Sequence, residues 1–426
     1  MNVTVFGLGK LGLPMAAVFA NAGHNVIGVD TVEATIEALN RGEVLIDEPD
    51  LPEMVARNTD RIRATTNVAE AIAASEMSFI IVPTPSGSDG AFINDYVLGV
   101  LRSIGEELRA NPRDHIIAIA STVMPGATDK ILAPAFEEAL GRPLGTDVHL
   151  CYSPEFIALG SVVRDLTHPD MILIGATDRK AGERLGDFYR SVSGADVPVQ
   201  VMAWANAELT KIAVNTFVTT KISFANMLAE ICESLPGGDV DEVTSALGLD
   251  SRIGRKYLKG GPPYGGPCFP RDNRALTVFA ESVGARADIA AATDAINDAI
   301  PHRIVQDIVN TIPAGSKVAV IGLAYKDNTP VFEESAGLKA TIALLAAGFD
   351  VHVFDPKALI SHDARLTAST QASTVAEAVT EASAVIITSD NSSHADGVVS
   401  AAPNAMIIDC WRTLSPASAA RQLGRA

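Results

Sequence analysis

Residues 3–30 read VTVFGLGKLGLPMAAVFANAGHNVIGVD, and the order of residue types in this stretch decides the fold. Val3-Thr4-Val5-Phe6 has the β-branched and aromatic character of a short strand. Gly7-Leu8-Gly9-Lys10-Leu11-Gly12 follows, then an apolar helix to about Ala22, a cap at Gly23, and a second strand over 25–29 ending at Asp30. Strand, G-x-G-x-x-G, helix, strand and acid in this register form a dinucleotide-binding fingerprint. The glycines let the backbone approach a pyrophosphate, which rests on the helix N-terminus. An acid at position 30 takes the adenosine ribose hydroxyls and repels a 2′-phosphate, favouring NAD over NADP. The expected cofactor contacts here are Gly7, Gly9, Lys10, Leu11, Gly12 and Asp30.

Outward from this stretch, βα units continue. Residues 79–82 and 116–120 read as strands that stop at Pro83-Thr84-Pro85-Ser86 and at Ser121-Thr122-Val123-Met124-Pro125-Gly126. Doubly wound sheets place ligand-contacting loops at such strand ends, which adds Thr84, Ser121 and Thr122 to the cofactor set. Residues 149–152 form a strand running into Ser153-Pro154-Glu155-Phe156, and 171–175 form another. Glu155 is there either an exposed loop acid or a carboxylate facing a ligand. From 204 to 235 there is neither Pro nor Gly, and apolar residues recur at helical spacing, which predicts one long helix broken by Pro236-Gly237-Gly238. Such a helix joins domains or pairs with a second subunit. Glu208, Lys211 and Asn215 share one of its faces, as a solvated stripe or as a polar patch facing a pocket.

The chain then repeats itself. Residues 317–323 (KVAVIGL) echo 3–8, and 347–355 (AGFDVHVFD) echo 22–30, so a second Rossmann-like unit begins near 315. It carries Gly322-Leu323-Ala324-Tyr325-Lys326 in place of three glycines, which favours a mononucleotide or a lysine-clamped phosphate over a second dinucleotide. Residues 385–388 and 406–408 supply further parallel strands. The expected fold is α/β: two Rossmann-like doubly wound domains joined by a long central helix and a helical middle domain. The expected boundaries are 1–200, 201–312 and 313–426.

A length of 426 residues exceeds one ordinary core. Apolar content of 47% with 20% charged residues fits a globular α/β protein, and a net charge of −18 argues against nucleic acid as a partner. No 18-residue uncharged apolar run and no cleavable leader stand out, so no membrane partner and a cytoplasmic location are expected. The four cysteines, 151, 232, 268 and 410, stand far apart with no metal-type spacing, which implies reduced thiols and no metal site. Cys268 differs from the others in its setting, Gly260-Gly261-Pro262-Pro263-Tyr264-Gly265-Gly266-Pro267-Cys268-Phe269-Pro270-Arg271-Asp272. A helix starting just after it, with Pro270 at the first helical position, turns its positive dipole end toward the thiol and favours thiolate. Two readings follow: a nucleophile with Arg271 and Asp272 as helpers, or a small buried hydrophobe in a turn.

Taken together, GLGKLG (7–12), VPTPS (82–86), STVMPG (121–126), SPEF (153–156), ELTKIAVN (208–215), SRIG (251–254), GGPCFPRD (265–272), GLAYK (322–326) and DCWR (409–412) resemble the UDP-glucose/GDP-mannose dehydrogenase family over the whole length and in order. The resemblance implies NAD on the N-terminal domain, the nucleotide of a sugar nucleotide on the C-terminal domain, and the sugar in a cleft between them. It implies oxidation of the sugar C6 from CH2OH to carboxylate in two hydride steps, through a cysteine thiohemiacetal and thioester. By the same resemblance Cys268 is the nucleophile, Lys211 the cationic residue and Asn215 its oxyanion partner. Asp272 manages proton transfer with Thr122 and a water, and Glu155 is a second acid near the hydrolytic water. Phe156, Tyr257, Lys259, Tyr264, Gly265 and Lys326 fall where the family holds substrate, and Arg271 among the cofactor contacts. Arg252 resembles an arginine that enters a neighbouring subunit's site, which implies a homodimer or larger homo-oligomer.

Three positions depart from the family pattern. Arg271 stands where many members have lysine, Leu159 where a second glutamate is frequent, and Glu333 where an arginine near the cofactor phosphates is usual. UDP-glucose is the expected substrate, with UDP-N-acetylhexosamine or GDP-mannose as alternatives. A two-electron β-hydroxyacid dehydrogenase and a non-catalytic nucleotide-sugar binding protein are the competing classes.

Overall fold

The computed structural model describes residues 1–395, 397–416 and 418–426. The chain divides into two compact units, residues 1–212 and 213–426. The first is built on strands β1 (Asn2–Phe6), β2 (Asn25–Val29), β3 (Ile62–Thr65), β4 (Met77–Ile80), β5 (His115–Ile119), β6 (Val148–Tyr152), β7 (Ile172–Ala176) and β8 (Val199–Met202). They form one sheet in the order β3-β2-β1-β4-β5-β6-β7-β8, with β7 antiparallel to β6 and the other neighbours parallel. Strands covered by helices on both faces are apolar along their whole length. Every residue of β4 and β5 is buried, and the polar pair among them, Ser78 and His115, hydrogen-bond each other at 2.8 Å.

Strand order reverses between β1 and β4, so the loops after β1, β4, β5 and β6 gather at the carboxyl edge of the sheet. Helix α1 (Gly12–Asn21) starts directly from the loop after β1. The strands expected from sequence lie within one or two residues of their positions. The expectation omitted β3 and β8, which are the edges of this sheet. Edge strands bury less surface, so Ile62-Arg63-Ala64-Thr65 and Val199-Gln200-Val201-Met202 lack the apolar run of the central strands.

Helix α2 (Trp204–Glu233) is 30 residues long and stops just before the Pro236-Gly237-Gly238 break. The second unit then contains α3 (Val240–Leu249), α4 (Phe269–Ser282), α5 (Asp288–Thr311) and α6 (Ala336–Ala346). Its strands are β9 (Lys317–Ile321), β10 (Asp350–Phe354), β11 (Thr370–Gln371), β12 (Ala384–Ile387), β13 (Met406–Asp409) and β14 (Arg421–Gln422). They form a parallel sheet in the order β11-β10-β9-β12-β13-β14. The internal repeat is therefore structural: β9, α6 and β10 reproduce β1, α1 and β2. Among the described residues no helix is long and apolar enough to cross a membrane, and no cluster of His, Cys, Asp and Glu is arranged to hold a metal ion.

A buried arginine, Arg412, helps fasten the last residues, alongside Arg425 on Asp239 (2.7 Å) and Arg421 on Glu233 (3.0 Å). Arg412 donates to both carboxylate oxygens of Asp241 on α3 (2.7 and 2.9 Å), to the Leu423 carbonyl (2.7 Å) and to the Gly260 carbonyl (2.6 Å). Removing the guanidinium takes the donor from the Leu423 and Gly260 carbonyls and leaves Asp241 with its longer 3.5 Å pair to Arg425, a loss that for a fully buried pair amounts to several kcal/mol. Asp241 reaches solvent, which lowers that cost. Arg412→Met is expected to destabilise the second unit by about 3 kcal/mol, read as a lower urea midpoint for the change in Trp411 emission. A midpoint equal to that of the unsubstituted chain would refute the role.

Candidate active site

The turn after β1 is shaped by contact. Gly7 has φ +92°, and a Cβ on Gly12 would overlap the Gly7 carbonyl oxygen. A Cβ on Gly9, by contrast, would meet nothing within 4 Å, so this glycine leaves the loop surface open. Helix α1 begins there with no side-chain cap and no acidic residue in its first turn, so the positive end of its dipole is left for an anion, although Leu13 N and Met15 N are already taken by the Gly9 and Leu11 carbonyls. Asp30 accepts from the backbone N–H of Leu8 (2.6 Å) and of Val32 (2.9 Å), one on each oxygen. Each oxygen keeps a lone pair, which suits ribose hydroxyls. An open loop, a helix N-terminus with no side-chain cap and this acid fit NAD. Lys10 is exposed and Leu11 half-buried beside them.

The hydroxyls of the next two loops are engaged with the protein. Ser121 accepts from Val82 N (2.9 Å) and donates to Val82 O (2.7 Å), while Thr84 donates to the Thr122 carbonyl (2.7 Å). These bonds lock the ends of β4 and β5 together. Thr122 is half-buried on the same edge.

At the end of β6, the Glu155 carboxylate accepts from the Tyr189 hydroxyl at 3.1 Å. Lys211 of α2 donates to the Glu155 carbonyl at 2.5 Å and lies over the Phe156 ring, 4.7 Å from its centroid. Burial pushes the Glu155 carboxyl up to about 7, with the Tyr189 hydrogen bond and the Lys211 charge opposing the rise. Lys211 is thus a buried ammonium beside an acid poised near neutrality. Glu208, on the same face of α2, does something else. It is fully buried and accepts from Gly126 N and Thr128 N, capping the helical segment that begins there. This corrects both sequence readings of the trio: the first two members are neither a solvated stripe nor a common patch.

In the second unit, α4 starts at Phe269 with Cys268 as its N-cap and Pro270 in the first turn. Cys268 is exposed, whereas Cys151, Cys232 and Cys410 are buried, so the reading of Cys268 as a core hydrophobe does not hold. One turn on, Asp272 is 1% exposed and bonded on both sides. Asn215 of α2 donates to one oxygen at 2.7 Å, and Arg271 donates to the other at 3.0 and 2.9 Å. Asn215, Arg271, Asp272 and Cys268 are thereby brought together within this unit.

The loop ahead of the cysteine is held by groups that composition did not flag. Asn226 of α2 accepts from Gly261 N (2.7 Å), and Asn297 of α5 accepts from Tyr264 N and donates to Tyr264 O (2.8 and 3.1 Å). Both asparagines are nearly fully buried, and no local pattern singles them out, since Ser223 and Glu230 share the face of Asn226 and Thr293 and Asp294 that of Asn297. The Tyr264 hydroxyl is taken by Asp294 at 2.5 Å. A Cβ on Gly265 would strike the Glu334 carbonyl, and one on Gly266 the Tyr325 ring. Of the remaining expected contacts, Tyr257 is exposed at φ +62°, a strained setting for a side chain of this size. Lys259 is exposed over the Trp411 ring, 5.0 Å from its centroid, and Lys326 is exposed in the loop after β9. Arg252 is exposed and paired with Asp250 at 2.6 Å. Glu333 is exposed; its carbonyl accepts from Gly266 N at 2.8 Å, and Leu159 packs partly buried against the core of the first unit.

Comparison with known proteins matches three consecutive family models. These are the UDP-glucose/GDP-mannose dehydrogenase NAD-binding domain over residues 1–193, its central domain over 205–299 and its UDP-binding domain over 319–416. The chain is 36% identical over 394 residues to the UDP-glucose 6-dehydrogenase of Haloferax volcanii, covering 92% of this chain and 91% of that one. It is 33% identical to the GDP-mannose 6-dehydrogenase of Azotobacter vinelandii, covering 85% and 83%. A UDP-glucose dehydrogenase structure from Pyrobaculum islandicum superposes with a TM-score of 0.91 at 34% identity, covering 100% of this chain and 98% of that one. With its NAD-binding, central and nucleotide-binding parts all matched in order, the chain belongs to the UDP-glucose/GDP-mannose dehydrogenase family of NAD-dependent nucleotide-sugar 6-dehydrogenases.

Proposed function

We propose that the chain oxidises C6 of UDP-glucose to the carboxylate of UDP-glucuronate, with Cys268 as the nucleophile. One observation carries this reading: the exposed cysteine of the chain stands at the N-cap position of a helix, one turn from a buried Asp272 bonded to Asn215. A helix N-terminus stabilises thiolate, the reactive form. When bound, NAD supplies the acceptor for the hydride of each oxidation. Lys211 and Asn215 stabilise the alkoxide that develops on the C6 oxygen in the first oxidation. The Cys268 sulfur then adds to the aldehyde carbon, the oxygen taking a proton, to give a thiohemiacetal whose oxidation leaves a thioester. Water adds to that carbonyl, the carbon–sulfur bond breaks, and the thiolate leaves the carboxylate behind. Glu155, Asp272 and Thr122 manage the water's protons.

UDP-glucose as the sugar nucleotide is supported by the Haloferax and Pyrobaculum relatives. The Azotobacter relative supports GDP-mannose as the second reading. Tyr257, Lys259, Gly265 and Lys326 are proposed to contact substrate, while Tyr264 acts through its hold on Asp294. A homodimer is proposed on the exposed face of α2, where Phe217, Phe224 and Ile231 recur every seven residues and are 68%, 44% and 49% exposed. Single exposed apolar residues are ordinary, but an aligned row of this kind marks a helix-packing surface. Arg252 is proposed to serve the partner copy's site; its exposed pair with Asp250 is cheap to release.

A panel of UDP- and GDP-sugars with NAD is expected to give two NADH per UDP-glucose consumed; one NADH per sugar, or turnover confined to GDP-mannose, would overturn the assignment. Cys268→Ser is expected to stop net acid formation after the first oxidation, and normal uronate output would remove the nucleophile role. Lys211→Ala should lower kcat by on the order of 10²-fold, whereas an unchanged kcat would leave Lys211 a purely structural cation. In light scattering, the Phe217→Glu/Phe224→Glu variant should run at half the mass of the parent; equal masses would rule this face out.

A further inference from the structure

Ser153 opens the SPEF segment, and the family motif by itself explains only the glutamate two residues on. The structure assigns the serine a partner. Its hydroxyl lies 3.2 Å from the Tyr189 hydroxyl and 3.2 Å from the Leu173 carbonyl, and the Tyr189 hydroxyl lies 3.1 Å from the Glu155 carboxylate. The row is therefore Leu173 carbonyl, Ser153, Tyr189, Glu155. Ser153 and Tyr189 are each 2% exposed, which shuts their hydroxyls off from bulk solvent. The tyrosine ring is fixed by edge contacts with Phe19, Phe79 and Phe188, at centroid distances of 6.4, 6.0 and 5.9 Å.

We propose that Ser153 and Tyr189 form a reversible hydrogen-bond relay that lets Glu155 hold or release a proton without leaving a buried donor unpaired. Both are positioning residues for the carboxylate, and the proposal rests on the reading of Glu155 as a proton-handling group. The count of hydrogens supports it. With Glu155 ionised, Tyr189 donates to the carboxylate and Ser153 donates to Tyr189. With Glu155 protonated, its O–H donates to Tyr189, Tyr189 donates to Ser153, and Ser153 donates to the Leu173 carbonyl. Switching rotates two hydroxyl hydrogens, breaks no covalent bond and needs no proton beyond the one Glu155 gains or loses. An apolar neighbour in place of either hydroxyl would strand a buried group in one of the two states, which costs more than a hydrogen bond gains.

The other titratable groups facing this row are Lys211 and Cys151. Lys211 donates to the backbone carbonyl of Glu155 and favours the ionised form. Cys151, buried on β6, is pushed up to about 12 and stays neutral. Burial likewise raises the Tyr189 phenol well above its ordinary range, so it exchanges hydrogen bonds and not protons. Glu155 itself is held near 7, where both of its states are populated.

The two hydroxyls have opposite expected effects. Tyr189→Phe keeps the ring contacts and removes a partner in both states, the donor to the carboxylate and the acceptor of the carboxylic acid; the bond to the charged form is the stronger, so the Glu155 titration should rise by about one pH unit. Ser153→Ala removes the acceptor that Tyr189 needs when Glu155 is protonated, so the titration should fall by a similar amount. The measurement is the carboxylic C=O infrared band of the full chain against pH, assigned to Glu155 by its loss in Glu155→Gln. Opposite shifts support the relay; shifts of one sign, or none, overturn it. The pH profile of kcat is followed in the same variants. If the band moves as expected while the kcat profile does not, the relay stands and the catalytic reading of Glu155 fails.

Discussion

The contact between a glycine carbonyl and the first turn of the following helix is the constraint from which both sheets are built. In the first unit, Gly12 must lack a Cβ because the Gly7 carbonyl occupies its place, and Gly337 must do so against Gly322 in the second. Each pair presses a helix onto the carboxyl end of the first strand of its sheet. Each leading glycine takes a positive φ, which other residues adopt only with strain. The β-α-β repeat is thus one steric solution used twice.

What differs between the copies follows from how their chemistry has been spent. Asp30 gives one bond per oxygen to its own loop, whereas Asp355, its counterpart, accepts four backbone N–H groups, from Leu323, Ala324, Lys357 and Ala358. The first acid keeps acceptor capacity for a ligand; the second is consumed by the fold. The loop after Gly322 is also much longer than the loop after Gly7. It supplies Tyr325 and the Glu333 and Glu334 carbonyls against Gly265 and Gly266, so the duplicated turn has become a support for the cysteine loop. The same loop puts Glu334 between Arg274 and Lys339, pairing the acid at 3.0 Å with each.

Much of this was legible in the chain, for reasons that can be named. The fingerprint over 7–30, the repeat over 317–355, the unbroken helix from 204 and the cysteine at a helix start are all local patterns, and local sterics and periodicity write them directly into residue order. The edge strands of both sheets, β3, β8, β11 and β14, were not legible, because each is short or partly exposed and has no continuous apolar run. Glu208 shared a helical face with Lys211, yet its role was set by the Gly126 and Thr128 amides, which lie far away in the chain.

The sequence alone determined the class of fold, the nucleotide fingerprint and which cysteine stands apart, since each depends on residues within one turn or one strand of each other. Only the tertiary structure decided which polar groups are spent. It bound the hydroxyls of Thr84 and Ser121 to neighbouring loops, set Asn226 and Asn297 to carry a loop without regular structure, and aligned Ser153 and Tyr189 behind Glu155. A buried donor or acceptor must find a partner wherever the fold brings one, and that partner is chosen by packing across the chain, not by spacing along it.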